Sequence, residues 1–292
     1  MAARTTSPLA VLGSSSLTAY WRFHRAVAAA QLQAWLPPGP GILVDISGPQ
    51  AAAAQLATAS GCAVLRVMPQ LPGRSQPVLP PRPWRGRPRH SGPRSLQAPG
   101  QLVSVVADPA SLGFLADASV DGVIADDGAL SRYLMSEDLA AEISRVLRPG
   151  GQLLACVDSL VLGMSVLAEQ HHWAELTDLP HAEVVLVPWP DGRITRCFGP
   201  EQLADLLGEA GLEVSWIRPR TVLAPAMVDH VLRRDPGAIS RLVRAELAAG
   251  TEDDAPWAAP GNGHAAALGD TGADGNESFG IFLIAAARKP DR

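Results

Sequence analysis

The stretch LVDISGPQ (43–50) sets Asp45 at the end of an apolar run and puts Ser47 and Gly48 into the turn that follows. An acid at such a strand end can accept from the amino group of a ligand, and it can equally cap the next helix. A dinucleotide site needs G-x-G-x-x-G, so that several backbone N–H groups reach a pyrophosphate at a helix N-terminus. Here 47–50 supplies a single glycine, which argues against a nicotinamide dinucleotide. Asp108, in ADPASL (107–112), ends a second apolar run, where Asp-Pro also suits a helix start. Asp126 and Asp127 read as a solvated turn. His171 and His172 are adjacent and so point to different faces; with His181 they read as surface histidines, and no metal set is expected. Tyr20, Trp21 and His24 share a leading helix, where they either fill a core or lie across a ligand.

The elements that would hold these residues follow from periodicity. Residues 17–36 have helical apolar spacing and stop at Pro37-Pro38-Gly39. Strands are expected at 41–46, 62–68, 101–107, 120–125 and 151–158, with helices at 50–60, about 109–116 and 136–147 between them. Apolar strands separated by helices make a parallel sheet covered on both faces. Beyond 158 come a helical stretch (160–173), a hairpin-like alternation around Pro190-Asp191-Gly192, a helix (200–211), a strand (212–219), a helical segment (225–249) and a last strand (278–289). Two segments bury little and are expected to be disordered: the Pro/Arg-rich insertion 69–100 and the Gly/Asp/Ala-rich loop 250–277.

With 292 residues, 47% of them hydrophobic, the chain can fill a sizeable core. The net charge of −5 is uneven, because 70–99 holds six arginines and no acid. The acidic remainder argues against generic nucleic-acid or membrane binding by the folded part, and leaves 70–99 as the one stretch that could meet nucleic acid. Lys289 is the only lysine, a bias that weakens functional readings of single arginines. Cys62, Cys156 and Cys197 lack CxxC spacing and imply neither a disulfide framework nor zinc. The N-terminal apolar patch is too short for a signal peptide, and no uncharged run reaches the roughly 18 residues of a membrane span, so a cytoplasmic protein is expected.

Five stretches in this order resemble the class I, seven-stranded S-adenosylmethionine (SAM) methyltransferases, type-11-like. LVDISGPQ (43–50) is similar to their first motif, ADPASL (107–112) to the acid ending strand three, and SVDGVIADDGAL (119–130) to strand four. EISRVLRPGGQLLACVDS (142–159) is similar to the helix, Arg-Pro-Gly-Gly turn and strand five, and CFGPEQLADLLGEAGLEV (197–214) to the entry to strand six. The resemblance implies an α/β fold, with a Rossmann-like, mostly parallel seven-stranded sheet, helices on both faces and an antiparallel last strand. It implies one methyltransferase-like domain over 1–292, with 17–36 as a lid helix. It implies SAM as cofactor, met by Asp45, Ser47, Gly48, Met68, Asp108, Ala125 and Tyr20. Met68 stands where family members place an acid for the ribose hydroxyls, and Gln50 where the turn prefers glycine.

The function so implied is methyl transfer to an O or N atom of a small-molecule acceptor. The alternative is a methyltransferase-like binding or regulatory module without turnover, motivated by the missing strand-two acid. Alignment supplies much of the acceleration in such a displacement, so no base is evident. His171, His172, Tyr20 and Asp158 are candidates, with 160–198 building the acceptor pocket.

Overall fold

The computed structural model describes residues 14–48, 52–69, 98–179, 182–189, 191–249 and 280–291. The insertion expected at 69–100 falls almost wholly outside the described residues, as do the 250–277 loop, Gln50 and His181. The leading helix is α1 (Ser14–Trp35). It is followed by β1 (Ile42–Asp45), α2 (Ala52–Ala59), β2 (Ala63–Met68), β3 (Leu102–Val106) and β4 (Val120–Ala125). Next come α3 (Ala129–Arg132), α4 (Ser136–Val146), β5 (Leu147–Asp158), α5 (Leu160–Glu169), α6 (Trp173–Asp178), β6 (Val185–Pro188) and β7 (Ile194–Cys197). The chain continues through α7 (Pro200–Glu209), β8 (Glu213–Arg220), α8 (Pro225–Arg234), α9 (Ile239–Ala249) and β9 (Phe282–Arg288).

Seven strands form one sheet in the order β3-β2-β1-β4-β5-β9-β8, and β6 pairs with β7 as a separate antiparallel hairpin. β1 runs parallel to β2 and β4, β2 to β3, and β4 to β5. β9 reverses this direction. Ser159 N–H donates to Ile281 O while Lys289 N–H donates to Gly151 O, so the partners advance oppositely along the two strands. The sheet is therefore mostly parallel, with an antiparallel last strand and flanking helices.

The described residues divide into two compact units, within Met1–Gln31, Val157–Ala204 and Ser215–Ala285 for one and Leu32–Cys156, Asp205–Val214 and Ala286–Arg292 for the other. The second unit owes its core to the apolar runs: Leu43, Val44, Val64, Val67, Val123 and Ile124 are all fully buried. At about 1.5–3 kcal/mol per buried aliphatic side chain, such strands supply much of the drive to fold. β3, at the edge, alternates between half-buried and exposed residues. In the first unit the helical spacing of Tyr20, Phe23 and Val27 on α1 closes a cluster with Val228 and Leu232 of α8 and Leu242 of α9. A further cluster packs Leu162, Val166 and Leu167 of α5 against Val185, Val187 and Cys197 of the hairpin.

Two local expectations are corrected. No helix forms at 109–116. Asp108 Oδ1 accepts from Ala110 N–H at 3.0 Å, and the Arg145 guanidinium of α4 takes the carbonyls of Leu112 and Leu115, both at 3.0 Å, so the segment is held as linked turns. β5 begins at Leu147 rather than 151. The Arg148–Gly151 turn is a bulge within the strand, marked by the shift in pairing between Val120–Leu147 and Gly122–Gln152.

Candidate functional site

Asp45 ends β1 with only 1% of its surface exposed. The chain turns directly beyond it: Ser47 N–H donates to Asp45 Oδ1 at 2.9 Å, and Gly48 adopts φ 122°. A side chain at Gly48 would be strained in that conformation and would meet Arg132 Nη2 at 3.1 Å, so glycine is needed for both reasons. Ser47 Oγ in turn accepts from Asp126 N–H at 3.0 Å, tying the turn after β1 to the turn after β4. Ala125 ends β4, fully buried and opposite Ala155 of β5.

Two arginines clamp this turn. Arg66 is the register partner of Asp45 on β2 and is itself buried; its Nη2 donates to Gly48 O at 3.1 Å. Arg132 of α3 donates from Nη2 to Ser47 O at 2.6 Å and from Nη1 to Asp127 O. Asp127 and Gly128 both adopt left-handed backbone, φ 56° and 68°, which starts the short helix that presents Arg132. The second oxygen of Asp45, Oδ2, is buried without a hydrogen-bond partner. Burial pushes the Asp45 carboxyl above its ordinary value; its bonds to Ser47 and the charge of Arg66 work against that rise, and Asp126 adds to it.

The other residues implied by resemblance are placed as follows. Met68 ends β2, buried and opposite Val106, with Met68 O accepting from Ala107 N–H at 3.0 Å. Asp108 is exposed just beyond β3. Tyr133, which sequence reasoning missed, senses both sides of this region. Burial pushes its phenol up to about 12, the Asp108 charge adds to the rise and Arg132 opposes it. Tyr20 belongs to the first unit, fully buried in the α1–α8–α9 cluster. Its hydroxyl faces Thr221 without a hydrogen bond of good geometry, and burial raises its pKa. His172 Nδ1 lies 3.3 Å from Glu175, while His171 is exposed at φ 60° beyond α5. Asp158 is nearly buried at the end of β5, its carbonyl accepting from Phe198 N–H at 2.9 Å. Cys62, Cys156 and Cys197 are buried, and none forms a disulfide among the described residues.

Sequence reasoning also passed over Arg66 and Arg132. The first had a visible signal, a lone charge inside CAVLRVM (62–68). The second had none, because its acceptor Ser47 O lies 85 residues earlier in the chain.

No protein-family model matches the chain, and no curated protein gives a significant match. Solved structures do. The chain is similar to a Listeria monocytogenes protein assigned as a SAM-dependent methyltransferase, with a TM-score of 0.51 and 10% identity over 90% of this chain and 98% of the other. The two chains share a Rossmann-like fold, here a mostly parallel seven-stranded sheet with an antiparallel strand. Two further methyltransferase-fold structures match less well. The Burkholderia thailandensis 1,6-didemethyltoxoflavin-N1-methyltransferase has a TM-score of 0.49 and 16% identity over 92% and 79% of the two chains. A Mesorhizobium loti SAM-dependent methyltransferase has 0.48 and 16% over 89% and 96%. Within the sheet of this chain, the Asp45 turn lies at the carboxyl end of β1, beside β4, where open parallel sheets bind ligands.

Proposed function

We propose that the protein transfers the methyl group of SAM to an O or N atom of a small-molecule acceptor. The observation that carries this reading is the buried, half-satisfied carboxylate of Asp45 beside a one-glycine turn. A buried acceptor left open costs about 1–3 kcal/mol, and a cationic amino group is the ligand chemistry that relieves it. The same turn offers too few backbone donors for a pyrophosphate. Asp45, Ser47 and Gly48 fit the amino-acid end of SAM. Ala125, Met68 and Asp108 complete the cofactor set within the second unit. β2 brings no carboxylate for the ribose: Arg66 is turned to Gly48 O and Met68 is apolar.

When bound, SAM supplies an electrophilic methyl group. The chain's own part is to bind, orient and exclude water. Tyr133 joins His171, His172, Tyr20 and Asp158 as a candidate for handling the acceptor's proton. We read 1–292 as one methyltransferase-like domain working in the cytoplasm. Among the described residues no helix is long and apolar enough to cross a membrane.

Thermal melting with SAM, S-adenosylhomocysteine and NAD tests the reading. S-adenosylhomocysteine at about a hundred times its Kd should add about 2.7 kcal/mol, a rise of several degrees, and NAD should add nothing. A shift with NAD and none with either SAM species removes the proposal. No shift with any of them leaves the module without turnover, which the Arg66 and Met68 environment of β2 would then favour.

A further inference from the structure

β3 ends the seven-stranded sheet: β2 pairs with one side of it, and among the described residues no strand pairs with the other. The bonds to β2 fix which backbone groups are left over. Gln101 O accepts from Val64 N–H at 2.7 Å, and Ala107 N–H donates to Met68 O at 3.0 Å. The N–H and C=O of one strand residue point to the same side and the side alternates along the chain, so the odd-numbered residues are the ones bonded to β2. Leu102, Ser104 and Val106 therefore direct all six of their backbone N–H and C=O groups outward. Their side chains are also the exposed ones of the strand, Leu102 at 38% and Val106 at 40%.

An edge of this kind is a template for another strand, and proteins guard such edges with charge, proline or bulges. β8, at the opposite edge of the sheet, carries Glu213, Arg218, Pro219 and Arg220. β3 carries no such guard: LVSVV has no charge, proline or glycine, and it pairs with β2 from Leu102 to Val106 without a bulge. Between Arg94 and Asp108 the sequence has no charged residue at all. The strand is also complementary to itself. Turned about a twofold axis at Ser104, it meets its own copy antiparallel, with Leu102 opposite Val106, Ser104 opposite Ser104 and Val106 opposite Leu102. These are the residues with outward groups, so each pair exchanges two hydrogen bonds and no group is left over. Leu102 and Val106 gain apolar neighbours across the join, and Asp108 falls opposite Gly100 of the second copy rather than opposite a like charge. The segment 70–97 suits the edge less well, because seven prolines interrupt it and no run longer than four residues lacks one. From this geometry we propose that β3 is the docking edge for a second copy of the chain, paired antiparallel through Ser104 into one sheet shared by two molecules. The contact is isologous, the symmetry of most dimers, and it stands or falls independently of methyl transfer.

Sedimentation velocity of the full chain between about 1 and about 100 μM should show a monomer passing into a dimer. Over the same range, amide exchange read by NMR should slow at Leu102, Ser104 and Val106 as the concentration rises, while Val103 and Val105 are protected throughout. Ser104 is exposed, so charging it should leave the fold intact, which melting curves check. Ser104→Lys sets like charges opposite each other on the axis and should weaken the dimer about tenfold, as should Ser104→Glu; an equal mixture of the two should dimerise as tightly as the unaltered chain. A chain that stays monomeric overturns the proposal. So does protection of the three amides that ignores dilution, because another part of the same chain, such as 70–97, would then cover the edge. A dimer that survives both charged variants unchanged, or a mixture that does not dimerise, puts the contact elsewhere and overturns it too.

Discussion

Each unit buries a carboxylate, and the two are treated differently. Glu246, on α9, is 3% exposed and has both oxygens occupied: Oε1 accepts from Val222 N–H at 2.8 Å and Oε2 from Leu223 N–H at 3.0 Å. Asp45, on β1, is as deeply buried but has one oxygen occupied and one open. A fully bonded carboxylate organises backbone: Glu246 holds the chain leaving β8, where Thr221 adopts φ 71° and cannot supply a regular strand pairing. A half-bonded carboxylate spends stability on something that is not folding. On the proposed reading, the contrast separates a structural acid from a binding one.

The largest expected effect tests the structural side. Glu246→Ala removes two charge-assisted bonds and orphans two N–H groups, which should cost about 3 kcal/mol and lower Tm by several degrees. Asp45→Ala loses one protein bond and should cost less than about 1 kcal/mol, yet it should abolish stabilisation by S-adenosylhomocysteine, an effect of about 2.7 kcal/mol at a hundred times Kd. Paired melts of both variants, with and without ligand, decide the matter. If Asp45→Ala melts as low as Glu246→Ala, or keeps the ligand shift, the two acids do not differ in kind.

A smaller effect sharpens the ligand's pose. Met68→Glu places a carboxylate at the end of β2, and should tighten S-adenosylhomocysteine by about 1–2 kcal/mol, or roughly five- to thirtyfold in Kd, through charge-assisted bonds to the ribose hydroxyls. Val67→Glu is the control, since neighbouring strand residues face opposite ways and Val67 is fully buried. Calorimetric titration measures both. Equal affinity for wild type and folded Met68→Glu would place the ribose elsewhere.

The strands were legible because burial on both faces writes continuous apolar runs, and β4 (Val120–Ala125) begins and ends where those runs do. The turn formed by Asp45, Ser47 and Gly48 was legible because a strand end followed by a lone glycine is a local pattern. What stayed hidden is long-range. Nothing near 109–116 reveals that Arg145, about thirty residues on, will take the carbonyls a helix needs. Likewise Arg132 reads as one polar residue of a short loop until Ser47 O, 85 residues earlier in the chain, becomes its acceptor. Glu246 looks like any acid on an amphipathic helix; its partners are backbone groups, which leave no trace in side-chain spacing.

The smallest expected effect is one of slope. The folded-state pKa of Asp45 stands above the ordinary carboxylate value, so the folded protein holds that proton more tightly than the unfolded chain. The stability this contributes is fully present below the ordinary carboxylate range and is lost as pH rises through the raised value. Asp45→Asn carries no proton to lose, so its stability should fall less than that of wild type across this window. A cationic ligand group reverses the preference: beside an ammonium the ionised carboxylate is favoured, and the S-adenosylhomocysteine shift should grow over the same rise in pH in wild type only. Melts of both proteins from the acidic to the neutral range, with and without ligand, give four curves. Parallel ligand-free curves would mean that Asp45 is as satisfied as Glu246, and a ligand shift independent of pH would mean that the open oxygen does not meet the ammonium.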